Sequence, residues 1–190
     1  MIRRRLLTVA GALCIVVGLV IGHPGTSSAQ VSPGAGQQHP ASIAGRSTTA
    51  EYVVRFINLK SQKCLGVESA SLANGAQVLQ WTCARQFDQY WRVRYVGGLL
   101  AEVVNYNSGR CLAVQSASLV NGGNILQWTC NNNLDQRWDV VGWESYGWVV
   151  NGNSARCLSV ASGSMVNGAR ALQWTCGSQS DQQWYVDVIA

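Results

Sequence analysis

The chain has 190 residues with 14 Lys and Arg against 9 Asp and Glu, and 7 cysteines. Three of the arginines lie in the first five residues, so residues 30–190 carry 11 basic against 9 acidic side chains, a net charge of +2. That balance excludes the basic stripe expected of a nucleic-acid binder, and the mild cluster of Arg85, Arg92 and Arg94 reads as a solvated face.

In chain order, the first element is an export signal. Arg3, Arg4 and Arg5 precede an apolar run from Leu6 to Ile21, and Ser27-Ser28-Ala29 offers small residues to a signal peptidase. Cleavage is expected after Ala29. The alternative is an uncleaved anchor, but the run is short for a span of about 20 residues and contains Gly11 and Gly18. Cys14 lies inside this run, so six cysteines remain, an even number that in an exported chain points to disulfides in an oxidising compartment. A secreted protein, free of the membrane after cleavage, is the expectation. Residues 30–50 are rich in Gly, Ser, Pro, Gln and Thr and read as a disordered linker.

Residues 51–190 hold three copies of one unit, at about 51–97, 98–144 and 145–190. Asn58-Leu-Lys-Ser-Gln-Lys-Cys64-Leu-Gly-Val matches Asn105-Tyr-Asn-Ser-Gly-Arg-Cys111-Leu-Ala-Val and Asn151-Gly-Asn-Ser-Ala-Arg-Cys157-Leu-Ser-Val. Asn74-Gly75, Asn121-Gly122 and Asn167-Gly168 recur next, then Gln-Trp-Thr-Cys at 80–83, 127–130 and 173–176. Each copy closes on Asp-Gln-x-Trp, at Asp88 to Trp91, Asp135 to Trp138 and Asp181 to Trp184.

The segments Tyr52-Val-Val-Arg-Phe-Ile and Gly147-Trp-Val-Val are β-branched and aromatic, bounded by Gly and Asn, and read as strands. The Asn-Gly pairs read as tight turns in which both residues accept positive φ. No long 3.6-residue period occurs after residue 30, so an all-β fold with little or no helix is expected. One such unit cannot bury its own apolar face, and three are too few for a propeller. A closed assembly with three-fold pseudosymmetry follows, with Trp91, Trp138 and Trp184 in its core and Gln89, Gln136 and Gln182 bonded to backbone. Three equivalent copies most simply pair their cysteines internally, giving Cys64–Cys83, Cys111–Cys130 and Cys157–Cys176, each 19 residues apart. No Cys-x-x-Cys spacing exists and the only histidine after Ala29 is His39, so neither a metal site nor a cofactor is expected.

Cys-Leu-x-Val, the Asn-Gly turn, Gln-Trp-Thr-Cys and Gln-x-Trp together resemble the ricin B-type (R-type) lectin family over about residues 51–190. The resemblance implies a β-trefoil with one potential sugar pocket per repeat. It assigns an aromatic platform to Trp81, Trp128 and Trp174, and the polar position before Gln-x-Trp to Asp88, Asp135 and Asp181. Gln80, Gln127 and Gln173 alternate to the opposite strand face and read as structural. The chain departs from the family pattern two residues after the first cysteine. There the family's sugar-recognising aspartate is replaced by Gly66, Ala113 and Ser159.

The expectation is a non-catalytic, monomeric carbohydrate-binding protein with up to three weak sites for a glycan or polysaccharide. The alternative is a structural or protein-interaction trefoil that has lost sugar binding, and it requires Trp81, Trp128 and Trp174 to be largely buried. No nucleophile–base pair or unique carboxylate dyad is evident for an enzyme. Trp143 and Trp148 fall outside the repeat motif and carry no assignment.

Overall fold

The computed structural model describes residues 50–189, so the expected export signal and nearly all of the expected linker lie outside the described residues. The β-branched and aromatic segments form β1 (Glu51–Asn58), β2 (Cys64–Val67), β3 (Val78–Trp81), β4 (Trp91–Gly97), β5 (Leu100–Asn105), β6 (Cys111–Val114) and β7 (Ile125–Trp128). They continue as β8 (Arg137–Val140), β9 (Tyr146–Gly147), β10 (Val149–Asn151), β11 (Cys157–Val160), β12 (Ala171–Trp174) and β13 (Trp184–Val188). Among the described residues there is no α-helix, only six short 3-10 turns.

The two-residue period of a strand sorts the side chains. In β1, Val54, Phe56 and Asn58 are buried while Arg55 and Ile57 are half-exposed. β1 pairs with β4 and β13, β4 with β5, β5 with β8, and β8 with β10, all antiparallel. Only Trp148 separates β10 from β9, and β9 pairs with β13. The circuit of pairings therefore returns to its start, removing edges that an open sheet would expose. Three hairpins, β2–β3, β6–β7 and β11–β12, attach to this ring. Single bridges join them to one another, from Gln77 to Leu126, Leu79 to Arg170 and Asn124 to Leu172. The architecture is a β-trefoil.

Its core holds one tryptophan per repeat. Trp91, Trp138 and Trp184 are fully buried. Their indole N–H groups donate to the carbonyls of Leu65, Leu112 and Leu158 at 3.0, 2.9 and 3.0 Å. The ring's one polar atom is thereby satisfied, which is what permits so large a side chain at zero exposure.

A second buried layer is polar and ties each repeat to its neighbour. Gln80, Gln127 and Gln173 are completely buried, and each accepts a 2.6 Å hydrogen bond from a serine hydroxyl of its own repeat, Ser61, Ser108 or Ser154. Their amides donate across the boundary: Gln80 to the carbonyls of Ser164 and Val166, Gln127 to Ser71 and Ala73, and Gln173 to Ser118 and Val120. First repeat grips third, second grips first, and third grips second.

The Asn-Gly turns differ from the sequence expectation. Gly75, Gly122 and Gly168 have φ near +82, +82 and +81°, but the preceding asparagines do not adopt positive φ. Each asparagine instead reaches the adjacent repeat, where its side-chain oxygen accepts the backbone N–H of Thr129, Thr175 or Thr82. A turn with two positive-φ residues serves a two-residue hairpin. These turns lie in the longer loops between hairpin strands, so the asparagine is used as a clasp.

The three disulfides join Cys64 to Cys83, Cys111 to Cys130 and Cys157 to Cys176, one per repeat. Each clips the loop after the second hairpin strand to the start of the first. Replacing Cys111 and Cys130 together by serine is expected to cost about 3 kcal/mol, the loop-closure contribution of a bridge of this span. Denaturant unfolding of the double variant beside the parent checks the value.

Candidate functional site

Each repeat presents a surface cavity between its hairpin and the 3-10 turn before the core tryptophan. The first, about 780 Å³, is lined by Leu79, Trp81, Arg85, Phe87 and Asp88 among others. The second, about 470 Å³, includes Ala113, Leu126, Trp128, Asn133 and Asp135. The third, about 600 Å³, includes Lys60, Ser159, Leu172, Trp174 and Asp181.

Trp81, Trp128 and Trp174 close β3, β7 and β12, and strand alternation turns them outward as the preceding glutamine turns inward. They are 47%, 44% and 46% exposed. Each ring rests against the glycine of a neighbouring Asn-Gly turn. A Cβ at Gly168 would lie 3.5 Å from the Trp81 ring, one at Gly75 3.5 Å from Trp128, and one at Gly122 3.8 Å from Trp174. The glycine thus answers two demands, a positive φ and a flat backbone flank for the indole.

The aspartates approach from the other side of each cavity. Asp88, Asp135 and Asp181 sit half-buried in the 3-10 turns Phe87–Gln89, Leu134–Gln136 and Ser180–Gln182. The buried Gln89 staples that turn to the loop after the platform, accepting from the N–H of Ala84 and donating to the carbonyl of Thr82. Gln136 does the same with Asn131 and Thr129, and Gln182 with Gly177 and Thr175. The same glutamine therefore ties the turn that carries the aspartate to the loop that follows the ring.

Another set of positioning residues was present in the repeat but carried no assigned role from sequence. Asn105, Asn151 and Asn58 are buried, and their amides donate to the carbonyls of Asp88, Asp135 and Asp181 at 2.8, 2.9 and 2.9 Å. Each repeat's opening asparagine thus fixes the backbone of the aspartate in the repeat before it. Its exact recurrence marked it as important. The partner became visible only once the ring closed.

The aspartate side chains lean toward the strand position that departs from the family pattern. A Cβ at Gly66 would lie 3.3 Å from Asp88 Oδ2 and 3.1 Å from Gln89 Cγ. In the third repeat the Ser159 hydroxyl donates to Asp181 Oδ2 at 2.9 Å. A second carboxylate at residue 66 would crowd the first.

Partial burial raises the Asp88 and Asp135 carboxyls above the ordinary 3.8, against a smaller lowering from a backbone hydrogen bond. Asp135 gives the cleaner case, since no other charged side chain lines its cavity. Its native value lies above its unfolded one, so the folded protein takes up the proton first and ionisation costs stability above that window. Asp135→Asn is therefore expected to melt at or above the parent temperature at pH 7, with the advantage shrinking as pH falls toward 4. Melting curves at both pH values check the sign.

Trp143 and Trp148 line none of the three cavities, although Trp148 bonds to Gly177 at the margin of the third. Trp143 packs on Tyr52 with ring centres 5.0 Å apart and donates to the Tyr95 hydroxyl, while Trp148 donates to the Gly177 carbonyl. Among the described residues no cluster of three or more His, Cys, Asp or Glu could hold a metal ion.

Comparison with known proteins agrees with this geometry. ThreeFoil, a designed three-fold symmetric protein, is 29% identical with a TM-score of 0.70, covering 72% of this chain and 99% of its own. The exo-beta-1,3-galactanase 1,3Gal43A from Clostridium thermocellum is 29% identical with a TM-score of 0.70 over 73% of this chain. The hemolytic lectin CEL-III is 31% identical with a TM-score of 0.58 over 73% of this chain. The chain spans only 30% and 31% of those last two proteins. No curated protein sequence matches significantly. The family model for the ricin-type beta-trefoil lectin domain matches residues 52–187, and the chain belongs to that family.

Proposed function

We propose that this is a secreted, monomeric, non-catalytic glycan-binding protein with up to three weak and similar sites. A signal over residues 1–29 and a linker over 30–50 precede the lectin domain at 51–190. The observation that carries the reading is the pairing, in all three cavities, of a tryptophan nearly half exposed with a half-buried aspartate. The indole offers its face to the apolar side of a pyranose, and the carboxylate accepts from sugar hydroxyls. Asp88, Asp135 and Asp181 supply from the turn the carboxylate that the family pattern places at 66, 113 and 159. Three weak sites together add avidity on a polysaccharide.

The alternative of a trefoil that has lost sugar chemistry rests on Gly66, Ala113 and Ser159. The exposure of the three platform rings counts against it, since that reading requires them buried. Three disulfides suit an extracellular setting. The galactanase neighbour makes galactose-containing polysaccharides the first ligands to test. The experiment is a broad glycan and polysaccharide array probed with the purified protein; binding to no glycan would overturn the proposal.

A further inference from the structure

The three cavities share a plan, but the first continues into an aromatic surface beside it. Phe87, which lines that cavity with Trp81, is 60% exposed. Its ring centre lies 5.4 Å from Tyr106 and 6.1 Å from Tyr90, and those two tyrosines are 6.5 Å apart. Tyr106 is 36% exposed, and its neighbour Asn107 lines the same cavity. The backbone holds this group in place, since the Tyr106 N–H donates to the Tyr90 carbonyl at 2.8 Å. The Arg92 guanidinium lies 4.4 Å from the centre of the Tyr106 ring and braces it further.

The equivalent backbone bonds identify what occupies these places elsewhere. Gly152 donates to Arg137 and Leu59 to Gln183. The counterparts of Phe87, Tyr90 and Tyr106 are therefore Leu134, Arg137 and Gly152 at the second cavity, and Ser180, Gln183 and Leu59 at the third. Only the first cavity among the three has an aromatic trio at its margin, and it is also the largest.

We infer that the first site is extended: Phe87 and Tyr106 form a second stacking platform that takes the next unit of a linear oligosaccharide whose first unit rests on Trp81. This rests on the glycan-binding reading above and narrows it, for this one site, to chains of two or more units. The chemistry is the same at both platforms. A pyranose has an apolar C–H face that an exposed ring can cover, and rings set along a surface recognise successive units without demanding a new hydrogen-bond pattern for each. The second and third sites, which lack the trio, recognise one unit.

The test is titration calorimetry of the purified protein with β-1,3-linked and with β-1,4-linked galacto-oligosaccharides, from one to four units each. A gain of about tenfold in the tightest site between one and three units is expected, with little gain at the remaining sites. Phe87→Ala and Tyr106→Ala should each reduce the ratio of trimer to monomer affinity to within about threefold. Phe87→Tyr should keep it. Both aromatic side chains are exposed, and unchanged melting temperatures confirm that the variants fold. A parent that binds monosaccharides without gaining from chain length, or a Phe87→Ala variant that keeps the full ratio, overturns the extended site and leaves the glycan-binding reading standing. Binding to no sugar in these series or on the broad array removes both.

Discussion

Replacing Gln127 with alanine is expected to lower stability by about 3–5 kcal/mol, although the residue touches no ligand. Its amide donates to the carbonyls of Ser71 and Ala73, and its oxygen accepts from Ser108. All these groups lie at a repeat boundary, and Gln127 itself is completely buried. Alanine leaves two carbonyls without their donor, at about 1 kcal/mol or more each, and opens a cavity worth about 2 kcal/mol. Gln127→Leu should recover the cavity part and not the polar part, so it is expected to fall between parent and alanine variant. Chemical unfolding of the three proteins measures both contributions. Equal stability of parent and Gln127→Ala would mean that the repeats are held by apolar packing alone.

The largest functional loss is expected from the triple change Trp81→Ala, Trp128→Ala and Trp174→Ala, which should abolish retention on an immobilised polysaccharide. The three rings lie outside the apolar core, but each is about half buried on a turn of the neighbouring repeat, so the triple variant is expected to lose some stability while keeping the fold. Any single substitution removes one of three sites and should weaken retention by roughly 10- to 100-fold through lost avidity. Retention of each variant on the same matrix, beside its melting temperature, separates lost binding from lost folding. The Trp81 variant should suffer most on a linear polymer, because Phe87 and Tyr106 extend the site that ring begins.

Much of this architecture is legible in the sequence. The exact recurrence of cysteines, Gln-Trp-Thr-Cys and Gln-x-Trp carries the closed three-fold β assembly and the disulfide pairing, because identical local contacts demand identical residues in each copy, and the family resemblance implies the β-trefoil. Partners between copies were not legible. Gln80 bonds to Ser164 and Val166, some 84 and 86 residues away, and nothing local indicates which neighbour closes the ring. An isolated Asn-Gly pair in a hairpin adopts two positive-φ positions, which is the expectation from sequence alone. Here the asparagine side chain has a better use, capping a threonine N–H of the next repeat. The aromatic trio at Phe87, Tyr90 and Tyr106 escaped for the opposite reason. Comparing copies highlights what they share, and these residues are what one copy has alone.

The departure at Gly66, Ala113 and Ser159 also takes on a different meaning. Read along the chain it is a missing carboxylate in each pocket. In three dimensions the position faces Asp88 Oδ2 in the first repeat and hydrogen-bonds Asp181 in the third. On the glycan-binding proposal the turn aspartate takes the role of the strand carboxylate, and Gly66 leaves room beside Asp88.

The most direct test is a glycan and polysaccharide array probed with the parent and with the triple variant Asp88→Asn, Asp135→Asn, Asp181→Asn. The turn aspartates, on this account, receive the sugar hydroxyls, so the parent should bind and the folded triple variant should lose that binding. A parent that binds nothing, or a triple variant that binds as well as the parent, would contradict it.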